Sequence, residues 1–167
     1  FPNKEVLFIQ TRLRGFEMFF AQMNEQMGEA MNAEQALQQF ARLLISFAQQ
    51  DPGYYQLMFQ PPRLNLKDSQ QLDQELEIQL ARLVEEWQRH LMTLIIDAIP
   101  SMTDQSENRQ KQLALFFTTS IHGLVDAYHY RALSTLMDAV DLIPEDVVEC
   151  HIEWLLSAVT QQAEKVV

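Results

Sequence analysis

The sequence predicts an all-α chain, an antiparallel bundle of about five long helices and one short one. Three observations carry this. Apolar residues recur at alternating spacings of three and four along most of the 167 residues, the period of one helix face. Only 4 Gly and 6 Pro interrupt them, too few for the turns of an all-β chain. No stretch alternates apolar and polar residues as a half-buried strand does, and no internal repeat or low-complexity segment stands out.

The first helix is expected from about Asn3 to Gly28, with Asn3 as its cap and Glu5 in the turn that the helix dipole favours for acids. Val6, Ile9, Leu13, Phe16, Phe20, Met23 and Met27 make its stripe, and Phe8 and Phe19 add a second apolar edge. The second helix spans about Ala33 to Gln50, with Leu37, Phe40, Leu44 and Phe47 on one face. Asp51 can cap, Pro52 suits a first helical turn, and Pro61-Pro62 forbid continuation, so a short helical turn carries Tyr54, Tyr55, Leu57, Met58 and Phe59. A long helix follows from about Asp68 to Ile99 on Leu72, Leu76, Leu80, Leu83, Trp87, Leu91, Leu94 and Ala98, until Pro100 stops it. The next runs from Asp104 to roughly Ala132, polar at first and then apolar through "LALFFTTSIHGLVDAYHY". "LSTLMDAVDLI" reads as either a frayed end or a loop. Pro144 opens the last helix, which ends near Lys165 with Val148, Ile152, Leu155 and Val159 as its stripe.

Composition excludes several classes. The net charge of -11 repels nucleic-acid phosphates and anionic membranes, so broad nucleic-acid binding by these residues is not expected. A lone cysteine, Cys150, rules out an internal disulfide and favours a reducing, cytoplasmic setting. Apolar runs such as "LMTLIIDAI" fall well short of a membrane span.

Catalytic and metal chemistry find little support. A di-metal carboxylate bundle needs Glu-x-x-His on two helices, and no Glu here has a His three residues on. Asp126 and His129 have that spacing, but one pair is not a site. His122 and His129 share a face and read more simply as one core histidine with a hydrogen-bond partner and one at an interface or exposed. Cys150 and His151 are neighbours that diverge by about 100° around a helix, so they form no oriented nucleophile-base pair. With no phosphate loop and no zinc or nucleophile-elbow motif, neither an enzyme nor a metal or cofactor is expected.

The 10 Phe and 8 Met are more informative. Most must fill the core, yet flexible Met beside aromatics also suits a cavity for an apolar ligand. Phe16, Phe20, Met23, Phe47, Met58, Trp87 and Phe117 are the candidate lining, with His122, Thr119 and Tyr54 or Tyr55 as polar contacts. The "LALFFTTSIHGLVDAYHY" helix is apolar on more than one face, and Ser120, Gly123 and Ala127 recur along it at close-packing intervals. Its second face is buried either inside the monomer or by subunit association.

Three stretches resemble one family. "FPNKEVL" (Phe1 to Leu7) is similar to the turn that leads from the DNA-binding head into the fourth helix of TetR-family transcriptional repressors. "DPGYYQLMF" (Asp51 to Phe59) and "IHGLVDAY" (Ile121 to Tyr128) resemble two segments of that family's regulatory domain, in the same order. The chain departs at Thr118, where some branches carry Trp. The resemblance implies that residues 1–8 are a junction with a helix-turn-helix head missing from this chain, and that residues 3–167 are a ligand-binding and dimerisation domain. It implies a homodimer built on the last two long helices, to which Phe116, Ser120, Gly123, Ala127, Ile152, Leu155 and Val159 are assigned. It also implies an apolar or aromatic effector whose binding, at the candidate lining with Tyr55 and His122, shifts the first helix. Operator DNA is then reached through the missing head, with Lys4 left as a phosphate contact. The alternative is a ligand-free helical adaptor for a protein partner.

Overall fold

A computed structural model describes residues 4–28, 31–59, 71–129 and 143–164. Six α-helices account for nearly all of them: α1 (Lys4–Gln26), α2 (Ala33–Gln50), α3 (Pro52–Phe59), α4 (Gln71–Ala98), α5 (Glu107–His129) and α6 (Glu145–Glu164). Among the described residues there is no strand. The expected Asn3 cap, the Asp68 start of α4 and all of "LSTLMDAVDLI" except Ile143 lie outside them.

Local chemistry sets the helix ends. Asn32 caps α2: its side chain accepts from the Gln35 N–H at 2.8 Å, while the Gln35 side chain accepts from the Asn32 N–H at 3.1 Å. Asp51 ends α2 by donating its N–H to Phe47 O, and its own carbonyl receives the Tyr55 N–H of α3. After α4 the chain makes a single 3-10 turn at Pro100–Met102, which the expected stop at Pro100 does not include. α5 starts later than expected, at Glu107 instead of Asp104. Ser106 is the residue that takes its first donors, from Arg109 N to Oγ and from Gln110 N to O.

α2 is the axis of the domain. It packs against α1, α3, α4, α5 and α6. Its stripe was expected on one face, but Ala41, Leu43, Ile45 and Ala48 are buried as well as Leu37, Phe40, Leu44 and Phe47. A helix surrounded on this many sides buries most of its circumference.

α1 lies across α3 and α4. Its approach to α3 is close enough to need a glycine: a Cβ on Gly15 would lie 2.7 Å from Met58 Cγ and 2.9 Å from its Sδ. A glycine inside a helix costs about 1 kcal/mol against alanine, so the contact it permits must offset that. Beside it Arg12, 7% exposed, donates from Nη2 to the Met58 carbonyl at 2.9 Å and so caps the C-terminal end of α3. Burial pulls the Arg12 pKa down from its ordinary value.

One ion pair ties α6 to α2. Arg42 donates from Nε and Nη2 to the two Glu149 carboxylate oxygens, each at 2.6 Å. Both side chains are 37% exposed, so the pair is expected to contribute no more than about 1 kcal/mol. The Arg42 hydrogen bond holds the Glu149 carboxyl below the usual carboxylate range. A lowered carboxylate contributes stability above its unfolded pKa and loses it as pH falls through the folded one. Urea melts of Arg42→Ala are therefore expected to show a loss of about 1 kcal/mol or less at pH 7, and no loss once Glu149 is protonated in acid.

Candidate ligand site

The site begins with one residue, Phe59, at the end of α3. Its ring meets Phe16 of α1 at 6.0 Å between centroids, Tyr55 at 5.4 Å, Trp87 of α4 at 5.4 Å and His122 of α5 at 4.3 Å, all edge to face. A single side chain on the shortest helix thus touches the three long helices around it.

Phe59 is also the wall of a cleft of about 380 Å³ between α4 and α5. Trp87, Gln88, Leu91 and Met92 line it from α4, and Lys111, Ala114, Leu115 and Thr118 from α5. The volume falls in the ~300–1,000 Å³ range of small-molecule sites, and the lining is mostly apolar with a few polar groups, as such sites are.

Behind Phe59 a polar pair joins α3 to α5. The Tyr55 hydroxyl and His122 Nδ1 are hydrogen-bonded. Burial lowers the His122 pKa, with Asp126 opposing, and burial raises that of Tyr55, with Asp126 adding to it. Both groups therefore stay neutral near pH 7.

The expected site residues separate into groups. Trp87 lines the cleft, while Tyr55 and His122 stand behind its wall. Phe16, Met23, Phe47, Met58 and Phe117 are packed in the closed core and do not line the cleft. Phe20 is partly buried against Phe19. Thr119 is exposed and spends its hydroxyl on the Leu115 carbonyl, so it is not a contact on that interior. The lining also includes Phe59, Leu91, Met92, Ala114 and Thr118, which the sequence pattern does not single out. Thr118, the one position where the sequence departs from its resemblance, is in the cleft wall.

On the outer side of the bundle, Phe116 is 44% exposed, Gly123 is exposed, and Ser120 and Ala127 are half-buried. The α6 assignments need correction. Ile152, Leu155 and Val159 lie in the protomer's own core, because the α6 stripe packs onto α2 and α5. Among the described residues of α6, the large apolar side chain turned to solvent is Trp154, 72% exposed. Lys4 is exposed at the start of α1. Among the described residues no three His, Cys, Asp or Glu side chains come together as a metal site would require, and no helix is long and apolar enough to cross a membrane.

His90, His122 and His151 all have pKa values lowered chiefly by burial. In each the unfolded chain takes up a proton at a higher pH than the folded one, so stability falls as pH drops below about 6.5. Thermal melts are expected to show a lower Tm at pH 5 than at pH 7, and His122→Gln is expected to shrink that difference.

An all-helical domain with an apolar cleft walled by a short helix, and a long helix seated on that short one, has the form of a ligand-responsive regulatory domain. The pattern of the tetracyclin repressor-like C-terminal domain matches residues 37–150, most of the chain, and the chain belongs to that family. Membership gives it a regulatory role in ligand binding and dimerisation. Comparison with curated proteins gives no match, and neither does comparison with solved structures.

Proposed function

We propose that this chain is the effector-sensing and dimerising part of a DNA-binding transcriptional repressor of the TetR type. An apolar or aromatic small molecule occupies the α4–α5 cleft and displaces Phe59. α3 then carries the displacement into α1, which spaces a pair of DNA-binding heads that precede it in the homodimer. The heads must meet half-sites about one helical turn apart, so a small shift of α1 is enough to lose DNA.

The observation that supports this best is the position of Phe59, which is at once a wall of the cleft and a ring contact of Phe16 on α1. Gly15 and Arg12 support it further. They hold α1 to Met58, the residue before Phe59, without space between them. Phe116 and Trp154 give the outer surfaces of α5 and α6 apolar side chains that a second copy would cover.

A thermal-shift panel of apolar and aromatic compounds tests the reading. A compound at a hundred times its Kd is expected to raise Tm by about 5–10 °C. Ala114→Phe, which fills the cleft, is expected to abolish that rise. If no compound stabilises the chain, the ligand-free adaptor becomes the better reading.

A further inference from the structure

α1 meets the end of α3 through two kinds of contact, and they differ in stiffness. The Phe16 and Phe59 rings meet edge to face at 6.0 Å between centroids. Phe59 is the last residue of α3 and a wall of the cleft, and its ring can turn about its own side-chain bonds. Turning that ring would make room for an occupant while α1 stays in place.

Met58 has no such freedom. It is 1% exposed, and a Cβ on Gly15 would lie 2.7 Å from its Cγ, 2.9 Å from its Sδ and 3.5 Å from Tyr54 Cβ. The α1 backbone at buried Gly15 therefore rests directly on α3 side chains from two successive turns. One turn earlier in α1, Arg12 donates to the Met58 carbonyl at 2.9 Å, so α1 holds both the side chain and the main chain of one residue. On another side, α3 is tied to α5 by the Tyr55–His122 hydrogen bond. Close-packed interiors transmit strain because they hold few voids to absorb it.

We propose, on the sensor reading above, that Met58 seated on Gly15 is the link that converts cleft occupation into movement of α1, with Arg12 as the positioning residue that keeps Met58 in its seat. Phe59 receives the occupant. Met58 passes the displacement on, because it has no space to yield on the α1 side. Shortening Met58 puts slack in the link: α3 shifts into the space left by the side chain, and α1 stays where it is. Gly15→Ala in the same chain returns a carbon to that space and takes up the slack.

Ala114→Phe supplies an occupant without any added compound, since Ala114 lines the cleft. Amide hydrogen exchange of the whole chain is compared with and without Ala114→Phe in wild type, in Met58→Ala, in Arg12→Met, and in Met58→Ala combined with Gly15→Ala. What is read is the change that Ala114→Phe makes within each background, so a general loss of stability from the background substitution cancels. In wild type, Ala114→Phe is expected to change protection between Arg12 and Phe20 by about fivefold or more, the size of a typical coupling between two sites. In Met58→Ala that change is expected to vanish, while the change in α4 and α5 around the cleft persists. Arg12→Met, which keeps the aliphatic bulk but not the donor, should reduce it, and adding Gly15→Ala to Met58→Ala should bring it back. An α1 change of the same size with and without the Met58 side chain would overturn the proposal and leave the Phe16–Phe59 ring contact as the link. No α1 change from Ala114→Phe even in wild type would overturn the coupling in the sensor reading itself.

Discussion

Phe19→Ala is expected to lower the unfolding free energy by about 3–5 kcal/mol, the cost of deleting a fully buried phenylalanine. Phe19 is 0% exposed. Its ring stands edge to face against Phe40 at 5.6 Å and Phe47 at 5.8 Å, so one side chain of α1 plugs the aromatic centre of α2. Alanine would leave a cavity walled by Phe40 and Phe47, and Phe40 is itself held by Trp87 and His90, which limits collapse. A domain stable by about 5–15 kcal/mol loses much of its margin. Urea denaturation measures the loss directly. Phe20→Ala is the contrast: Phe20 is only partly buried, and its truncation is expected to cost clearly less. Equal costs would mean that the Phe19 contacts to α2 do not organise the core.

The second large effect concerns association. Sedimentation of the chain is expected to give a dimer. Phe116→Glu combined with Trp154→Glu is expected to give a folded monomer, since an exposed tryptophan at the centre of an interface is commonly worth about 2 kcal/mol or more. Both residues are open in the protomer, at 44% and 72%, so their replacement leaves the core intact and circular dichroism should not change. Ile152→Glu is the wrong variant for this purpose. Ile152 is 1% exposed, and charging it would unfold the protomer instead of separating two copies. A wild-type chain that stays monomeric at tens of micromolar would contradict the dimer.

These predictions also mark how far the sequence was legible. The bounds of α2 follow from its stripe and from Asp51-Pro52, because helix ends are local chemistry. The same stripe logic misplaced α6. Spacing says that Ile152, Leu155 and Val159 share a buried face, but not whether the cover is the same chain or another. Periodicity alone also does not separate core aromatics from a cavity lining. Fully buried rings such as Phe47 and Phe117 and a ring at a cleft such as Trp87 leave the same periodic trace. Phe59 leaves no periodic signal because it ends a helix too short to have a period, and its importance comes from three neighbours distant in sequence. Gly15 is visible as a glycine in a helix, but only the fold supplies Met58 as the atom group it makes room for.

Occupation of the α4–α5 cleft should be felt in α1 through Phe59. Amide hydrogen exchange with and without a cleft-binding compound reads this coupling residue by residue. Exchange is expected to change together in α4 and α5 around the cleft, in α3, and in the stretch of α1 from Arg12 to Phe20, and Phe59→Ala is expected to remove the α1 response while binding persists. A change confined to α4 and α5, with α1 exchanging alike in the free and bound protein, would contradict it.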